Sequence, residues 1–179
     1  MTMNIRLATV FDIPAIEAVQ QSAISRLQIG YLTPEQIEAS RSGMGLDTQL
    51  IDDRTYFCVF ENDQLIGCGG WSYRDTRYGG NHSAGRNNSN LDPACDKARI
   101  RAMYTHPNHA GRGVGRRIMD ASEAAAIEAG FRGFTLVSTL AGIAFYLKCG
   151  YSVVDEWFDD NGAVPVPLST MEKTMPPSR

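Results

Sequence analysis

Short stretches rich in β-branched and aromatic residues punctuate this chain, and between them apolar residues recur every three to four positions. Ile5 to Ala8 is the first strand-like stretch. Asp12 and Pro14 then mark a helix start, after which Ile13, Ile16, Val19, Ala23 and Leu27 share one face. Thr33-Pro34-Glu35-Gln36 is a second start, with Thr33 as N-cap, Pro34 at the first helical position and Gln36 closing a capping box, so a short helix to about Ser42 is expected. Thr55 to Glu61 reads as a buried strand, Asn62-Asp63 as a turn, and Gln64 to Tyr73 as the returning strand of a hairpin. Gly67, Gly69 and Gly70 weaken that return strand and mark a bulge or the close approach of a ligand or a second backbone.

The periodicity lapses from Arg74 to Lys97, a run rich in Gly, Asn, Ser and charge. A loop that long inside a compact domain is either mobile or functional. It reads as a solvated insertion, or as a lid that carries Arg74, Arg77, Tyr78, Arg86 and Asp92 toward a bound molecule. Ile100 to Thr105 is again strand-like, and Pro107 ends it. Val114, Ile118, Met119, Ala121, Ser122, Ala125, Ala126 and Ala129 then recur at helical spacing, with Gly130 where a C′ glycine belongs. Gly133 to Thr139 is the next strand, Leu140 to Lys148 a helix closed by Gly150, and Tyr151 to Phe158 a strand. A turn at Asp159-Asp160-Asn161-Gly162 returns the chain into a last strand, Pro167 to Lys173, and Pro176 to Arg179 is expected to fray. The order β α α β β β α β α β β specifies an α/β fold with a mixed central sheet flanked by helices.

Composition narrows the function. At 179 residues and 43% hydrophobic content, residues 1–179 form one domain with 74–97 as a long loop insertion. A net charge of −3 gives no general attraction for nucleic acid. No apolar run reaches signal-peptide or transmembrane length, so a cytoplasmic protein without a membrane partner is expected. Cys58, Cys68, Cys95 and Cys149 lie far apart with three histidines in the whole chain, so neither a metal site nor a disulfide framework is indicated.

The candidate chemistry lies in Gly111-Arg112-Gly113-Val114-Gly115-Arg116, between the Ile100 strand and the Val114 helix. Glycines at alternate positions let a backbone turn sharply or let a ligand approach. The first helical N–H groups have no internal acceptor, the helix dipole is positive there, and Arg112, Arg116 and Arg117 add charge. That suits a phosphate or pyrophosphate; the other reading is a turn whose glycines only relieve strain. A Walker loop is excluded because no Gly-Lys pair occurs in the chain. A dinucleotide fingerprint fits poorly, since Arg116 stands where it needs Gly or Ala.

His106-Pro107 followed by the Gly-Arg-Gly-Val-Gly run resembles the acyl-CoA pyrophosphate loop of the Gcn5-related N-acetyltransferase (GNAT) family, and Phe145-Tyr146-Leu147-Lys148-Cys149-Gly150-Tyr151 resembles that family's Phe-Tyr-x-x-x-Gly-Phe segment. The likeness covers Ala98 to Trp157 well, the N-terminal half in general pattern, and Arg74 to Asp96 not at all; Ala110 replaces the family's usual Gln or Arg. The resemblance implies a splayed central strand pair, with acetyl-CoA as acyl donor and an amine, most often a primary one, as acceptor. It assigns the pantetheine contacts to backbone groups of Met103, Tyr104 and Thr105, and the pyrophosphate to Gly111, Arg112, Gly113, Val114, Gly115 and Arg116. Phe145 is implied as core or as a wall beside the pantetheine arm, Lys148 as a phosphate contact or an exposed side chain, and Tyr146 as the acid that protonates the departing thiolate. The first two helices would wall the acceptor site, with Tyr31 and Glu35 at their junction; Glu35, Asp92 and Tyr73 are the candidates for a base. A non-catalytic acyl-CoA sensor of the same fold and a different nucleotide-binding enzyme remain as alternatives, and a homodimer is left open.

Overall fold

Every stretch expected to be extended pairs into a single sheet in the computed structural model, which describes residues 2–176. The elements are β1 (Met3–Leu7), α1 (Ile13–Arg26), α2 (Pro34–Ser40), α3 (Thr48–Asp52), β2 (Tyr56–Glu61), β3 (Gln64–Ser72), β4 (Ala98–Thr105), α4 (Val114–Glu128), β5 (Gly133–Thr139), α5 (Ile143–Lys148), β6 (Ser152–Asp159) and β7 (Val166–Thr174). The strand order is β1-β2-β3-β4-β5-β7-β6, antiparallel throughout except for the central pair β4 and β5. Of the terminal segment expected to fray, residues 177–179 lie outside the described residues.

Local signals act as their chemistry dictates. Thr33 caps α2 by accepting from the Gln36 N–H at 3.2 Å, while Gln36 Oε1 accepts from the Thr33 N–H at 3.1 Å. Asn62 and Asp63 both take positive φ, the geometry of a two-residue hairpin turn. Gly130 and Gly150 close α4 and α5 at φ +99° and +91°. Asp12 does not cap α1 as expected. It closes a single 3-10 turn begun by Thr9, accepting from the Thr9 N–H at 2.7 Å and pairing with Arg6 at 2.8 Å. The Arg6 hydrogen bond leads in holding the Asp12 carboxyl down at about 2, below the usual carboxylate range. The sequence pattern has no counterpart to α3, a helix too short to show periodicity, whose cap Asp47 accepts from the Gln49 N–H at 3.1 Å.

Alternation along the strands gives the sheet two differently used faces. Phe134, Leu136 and Met171 join Met119 and Ala126 of α4 in one core cluster, and Tyr56, Cys58 and Cys68 join Ile16, Val19 and Ile24 of α1 in another. Helices therefore cover both sides of β2, β3 and β4. Cys58, Cys68 and Cys149 are buried free thiols, and Cys95 is exposed. Among the described residues, no helix is long and apolar enough to cross a membrane and no three His, Cys, Asp or Glu side chains gather as a metal site.

Residues 74–97 contain no strand, yet ion pairs tether them to the body. Arg74 pairs with Asp53 at 2.6 Å, Arg99 with Asp75 at 2.6 Å, and Arg86 with Asp47 at 2.9 Å. Asp47 also receives Arg101 at 2.9 Å, and Arg101 donates onward to the Thr76 and Gly79 carbonyls, so one carboxylate joins the start of α3, the loop and β4. Both Asp47 and Arg101 are buried, their side chains 1% and 4% exposed. Removing one partner of a buried pair strands the other charge. Asp47→Asn is therefore expected to cost about 3 kcal/mol in urea denaturation and to speed proteolytic cleavage between residues 77 and 86; cleavage at the wild-type rate would show that the pair does not hold the loop.

Candidate active site

The site begins with an irregularity in β4. Cys68 pairs with Tyr104 and Gly70 with Arg101, so β4 carries one residue more than β3 across that interval. This is a β-bulge, and Ala102 within it has φ +51°, a left-handed conformation that costs a residue with a Cβ about 1–2 kcal/mol. The Tyr56 hydroxyl, fully buried, donates to the Ala102 carbonyl at 2.8 Å and fixes the distortion. Glycine leaves room opposite it: a Cβ at Gly69 would press on Met103 Sδ and stand 2.9 Å from Ile118 Cγ2 and 3.1 Å from Met103 Cα. The glycines of the return strand thus accompany a bulge, one of the two alternatives open from sequence. β4 and β5 pair only at Ala98 with Phe134 and Arg99 with Thr135, and then part.

A cavity of about 730 Å³ opens at the parting. Met103, Tyr104 and Thr105 line it along β4; Gly111, Gly113, Val114, Gly115 and Arg116 line it where α4 starts; Phe145 and Tyr146 line it from α5. Gly111 and Gly113 have φ +75° and +85° with nothing within 4 Å of a notional Cβ, so their faces are open. The Arg117 N–H donates to the Gly113 carbonyl at 3.1 Å as α4 begins, which leaves the amides of Val114, Gly115 and Arg116 without helical acceptors. Open left-handed glycines, free amides and a long trough fit an extended ligand with a phosphate at one end.

The arginines divide. Arg112 does not line the cavity: its guanidinium pairs with Glu61 at 2.8 Å and ties the glycine loop to the end of β2. The Arg112 hydrogen bond leads in holding the Glu61 carboxyl below the usual range. Arg116 lines the cavity and donates to the Lys148 carbonyl at 2.9 Å, whereas Arg117 lies exposed outside it. His109, which the sequence offered no reason to single out, lines the cavity beside the loop with Nε2 3.5 Å from Glu61 and a buried Nδ1 that has no partner.

At the other end three phenols converge. Tyr104 is buried and its hydroxyl accepts from the Gly45 N–H at 3.1 Å. The Tyr146 ring packs edge-on to Phe145 with centroids 5.2 Å apart, and the side chain is 9% exposed. Tyr78 reaches in from the long loop with its hydroxyl buried and unpartnered. Burial leads in pushing all three phenols well above their ordinary pKa of 10, and Tyr104 adds to the rise at both Tyr146 and Tyr78.

The surrounding wall comes from Leu27, Gln28 and Tyr31 at the end of α1 and from residues 43–45. That last segment escaped the sequence reading, although Gly43-Met44-Gly45 was a visible signal of close approach, and the Tyr78 ring indeed packs where a Cβ on Gly43 would be. Of the long-loop residues read as lid candidates, Arg77 and Tyr78 line the cavity; Arg74 and Arg86 are held in ion pairs, and Asp92 accepts from the Ala94 N–H at 2.9 Å. No carboxylate lines the cavity among the described residues. Glu35, Asp92 and Tyr73, the candidates for a base, all lie outside it.

A seven-stranded mixed sheet parted at its central parallel pair, with a glycine-rich helix start at the mouth of the gap, defines the class as the N-acetyltransferase fold. The chain belongs to the acetyltransferase (GNAT) family, whose model matches residues 19–151; members of that family are acyl-CoA N-acyltransferases. Among solved structures it is similar to a GCN5-related N-acetyltransferase from Rhodopseudomonas palustris, with TM-score 0.73 and 18% identity over 98% of this chain and 99% of that one. The PaiA N-acetyltransferase from Thermoplasma acidophilum, solved in complex with coenzyme A, gives TM-score 0.66 and 17% identity over 97% of this chain and 99% of that one. An N-acetyltransferase from Staphylococcus aureus gives TM-score 0.64 and 16% identity over 97% and 99%. At such identities the likeness carries the fold alone. No curated protein matches the sequence.

The bulge and the trough share one anchor. Tyr56→Phe removes a single hydroxyl and leaves the Ala102 carbonyl unsatisfied, so a loss of about 1–2 kcal/mol is expected in urea denaturation. An unchanged midpoint would show that the distortion holds without that bond.

Proposed function

We propose that this protein transfers the acetyl group of acetyl-CoA to the amine of a small acceptor by direct attack while both are bound. The observation that carries the reading is the early parting of β4 and β5, which leaves β4 with unpaired backbone beyond Arg99 in a trough ending at the free amides of α4. When bound, acetyl-CoA supplies an acyl group on a thioester. The amides of Gly113 to Arg116 are suited to its pyrophosphate, with Gly111 allowing close approach and the Arg112–Glu61 pair fixing the loop. Backbone groups of Met103, Tyr104 and Thr105 are suited to the pantetheine arm in the manner of an added strand, with an N–H of Met103 or Tyr104 directed at the thioester oxygen. Phe145 packs against Gly115 and walls the arm.

Three protons must move. The acceptor nitrogen becomes neutral before it attacks, and with no carboxylate lining the main cavity that first proton leaves through water. Tyr146 holds its proton at Oη, and because burial raises its pKa it keeps that proton through pH 10 and can give it to the departing sulfur; the second proton, shed by the nitrogen once its bond to the acyl carbon has formed, returns to the phenolate through water and restores Tyr146. The rate is therefore expected to rise with pH until the acceptor amine itself titrates, without an alkaline fall below pH 10 from the phenol. Tyr146→Phe should slow turnover about 10²-fold or more with acetyl-CoA affinity nearly intact; an unchanged rate across pH removes Tyr146 from the role.

Gly113→Asp tests the pyrophosphate assignment. The left-handed φ strains any side chain, Asp less than most, and the space beside it is open, so the fold should survive while a negative charge enters the loop. In calorimetry the wild type should prefer acetyl-CoA to NAD and ATP, and the variant should bind acetyl-CoA at least about tenfold more weakly. Equal affinity in wild type and variant would reduce the loop to a turn.

A further inference from the structure

A second cavity, of about 400 Å³, lies beside the first and shares Arg77, Tyr78, Leu136 and Val137 with it. The sheet register explains it. Arg99 pairs with Thr135 and Val137 with Thr170, and all four line it. The alternate residues Phe134 and Met171 join the core beneath α4. The Tyr78 ring meets Trp157 edge-on at 6.2 Å and forms the partition between the two spaces. They are arms of one site bent around Tyr78.

Three donors in this site have nothing to donate to. Arg99 Nε is buried without a partner, although Nη2 of the same side chain pairs with Asp75 at 2.6 Å. The Tyr78 hydroxyl is buried without a partner. Arg77, which lines both arms, makes no hydrogen bond or ion pair among the described residues. Buried donors are rarely left unmade, and two of them with a free guanidinium around one partition describe a place for an acceptor oxygen that the protein does not itself supply. The acids nearby are engaged or solvated: Glu172, which lines the second arm, pairs with Lys97, Asp155 is exposed, and the buried Asp159, whose charge helps raise the Tyr78 pKa, accepts from the Asn161 N–H at 3.0 Å; the main cavity has no carboxylate. With Arg99 Nη2 and Glu172 each held in an ion pair, the cation left without a partner beside these donors, among the described residues, is Arg77, which a single anion would answer and a second cationic group on the acceptor would not.

We infer that the acceptor is an amine that also carries an oxyanion, a carboxylate or a phosphate, with the amine beside Tyr104 and Tyr146 and the oxyanion held by Arg77, Tyr78 and Arg99. This rests on the acyl-transfer reading above and adds the class of acceptor. Guanidinium and phenol donors fit either anion, so the test has an arm for each.

Thiol release from acetyl-CoA should be followed with matched pairs: L-phenylalanine and 2-phenylethylamine, L-ornithine and putrescine, O-phosphoethanolamine and ethanolamine. In at least one pair the anion-bearing member should have a kcat/KM at least about tenfold above its counterpart. Arg77→Ala should cut that ratio to about threefold or less by raising KM with little change in kcat. Tyr78→Phe should raise the same KM several-fold at an unchanged melting temperature, because its hydroxyl has no protein partner to lose. Calorimetry with the N-acetylated products, which undergo no turnover, should show the same order. Faster acetylation of the member that lacks the anion in every pair, no acetylation or binding of any anion-bearing member, or an Arg77→Ala ratio equal to wild type would each overturn the inference. Acetyl-CoA binding measured alone separates the two readings: if it is lost, the acyl-transfer reading fails, and if it is retained with the wrong charge order, only the acceptor class fails.

Discussion

The parting of β4 from β5 is the constraint on which the rest of the molecule depends. A parallel pair at the centre of a sheet ordinarily runs its full length, since each unmade ladder bond leaves a donor and an acceptor to be satisfied elsewhere. Here the ladder stops after Arg99 because the extra residue at Ala102 bends β4 away, and that residue is held in a left-handed conformation by the Tyr56 hydroxyl on one side and the space at Gly69 on the other. The distortion is small in energy and large in effect. It opens a trough floored by backbone, and the trough runs to the free amides of α4.

The charged residues sort by whether the fold has already answered them. Asp12, Asp47, Asp53 and Glu61 are each buried or nearly so and each receives an arginine, so these pairs fasten turns and loops to the sheet. They belong to the scaffold. Arg77, the Arg99 Nε and the Tyr78 hydroxyl have no such answer and gather around one bend in the cavity. The same residue types that stiffen the long loop at Arg74 and Arg86 border the site at Arg77, three positions on and nine positions back.

The fold was largely legible because its signals are local. The Thr33 capping box, the Asn62-Asp63 turn, the C′ glycines at 130 and 150, and the apolar face of α4 each depend on side chains within a few positions of one another, and each element formed where those signals put it. α3 was missed since five residues cannot display a period of 3.6. Asp12 went to a different role because Arg6, on the preceding strand, competes for the carboxylate that a helix start would use.

The sequence by itself determined the order of elements, the glycine loop with its anion-ready helix start, and the Phe145-Tyr146 segment, since spacing along the chain suffices to specify turns, caps and faces. Only the tertiary structure decided which arginines are spent: Arg112 meets Glu61 across fifty-one positions and Arg101 meets Asp47 across fifty-four, and no local pattern encodes a partner that distant. It also decided the place of Tyr78, whose ring settles over Gly43 and against Trp157 because the loop is fastened down by pairs on either side of it. Periodicity reports which face a residue occupies; ionic partnership and cavity shape depend on contacts between segments that the chain keeps far apart.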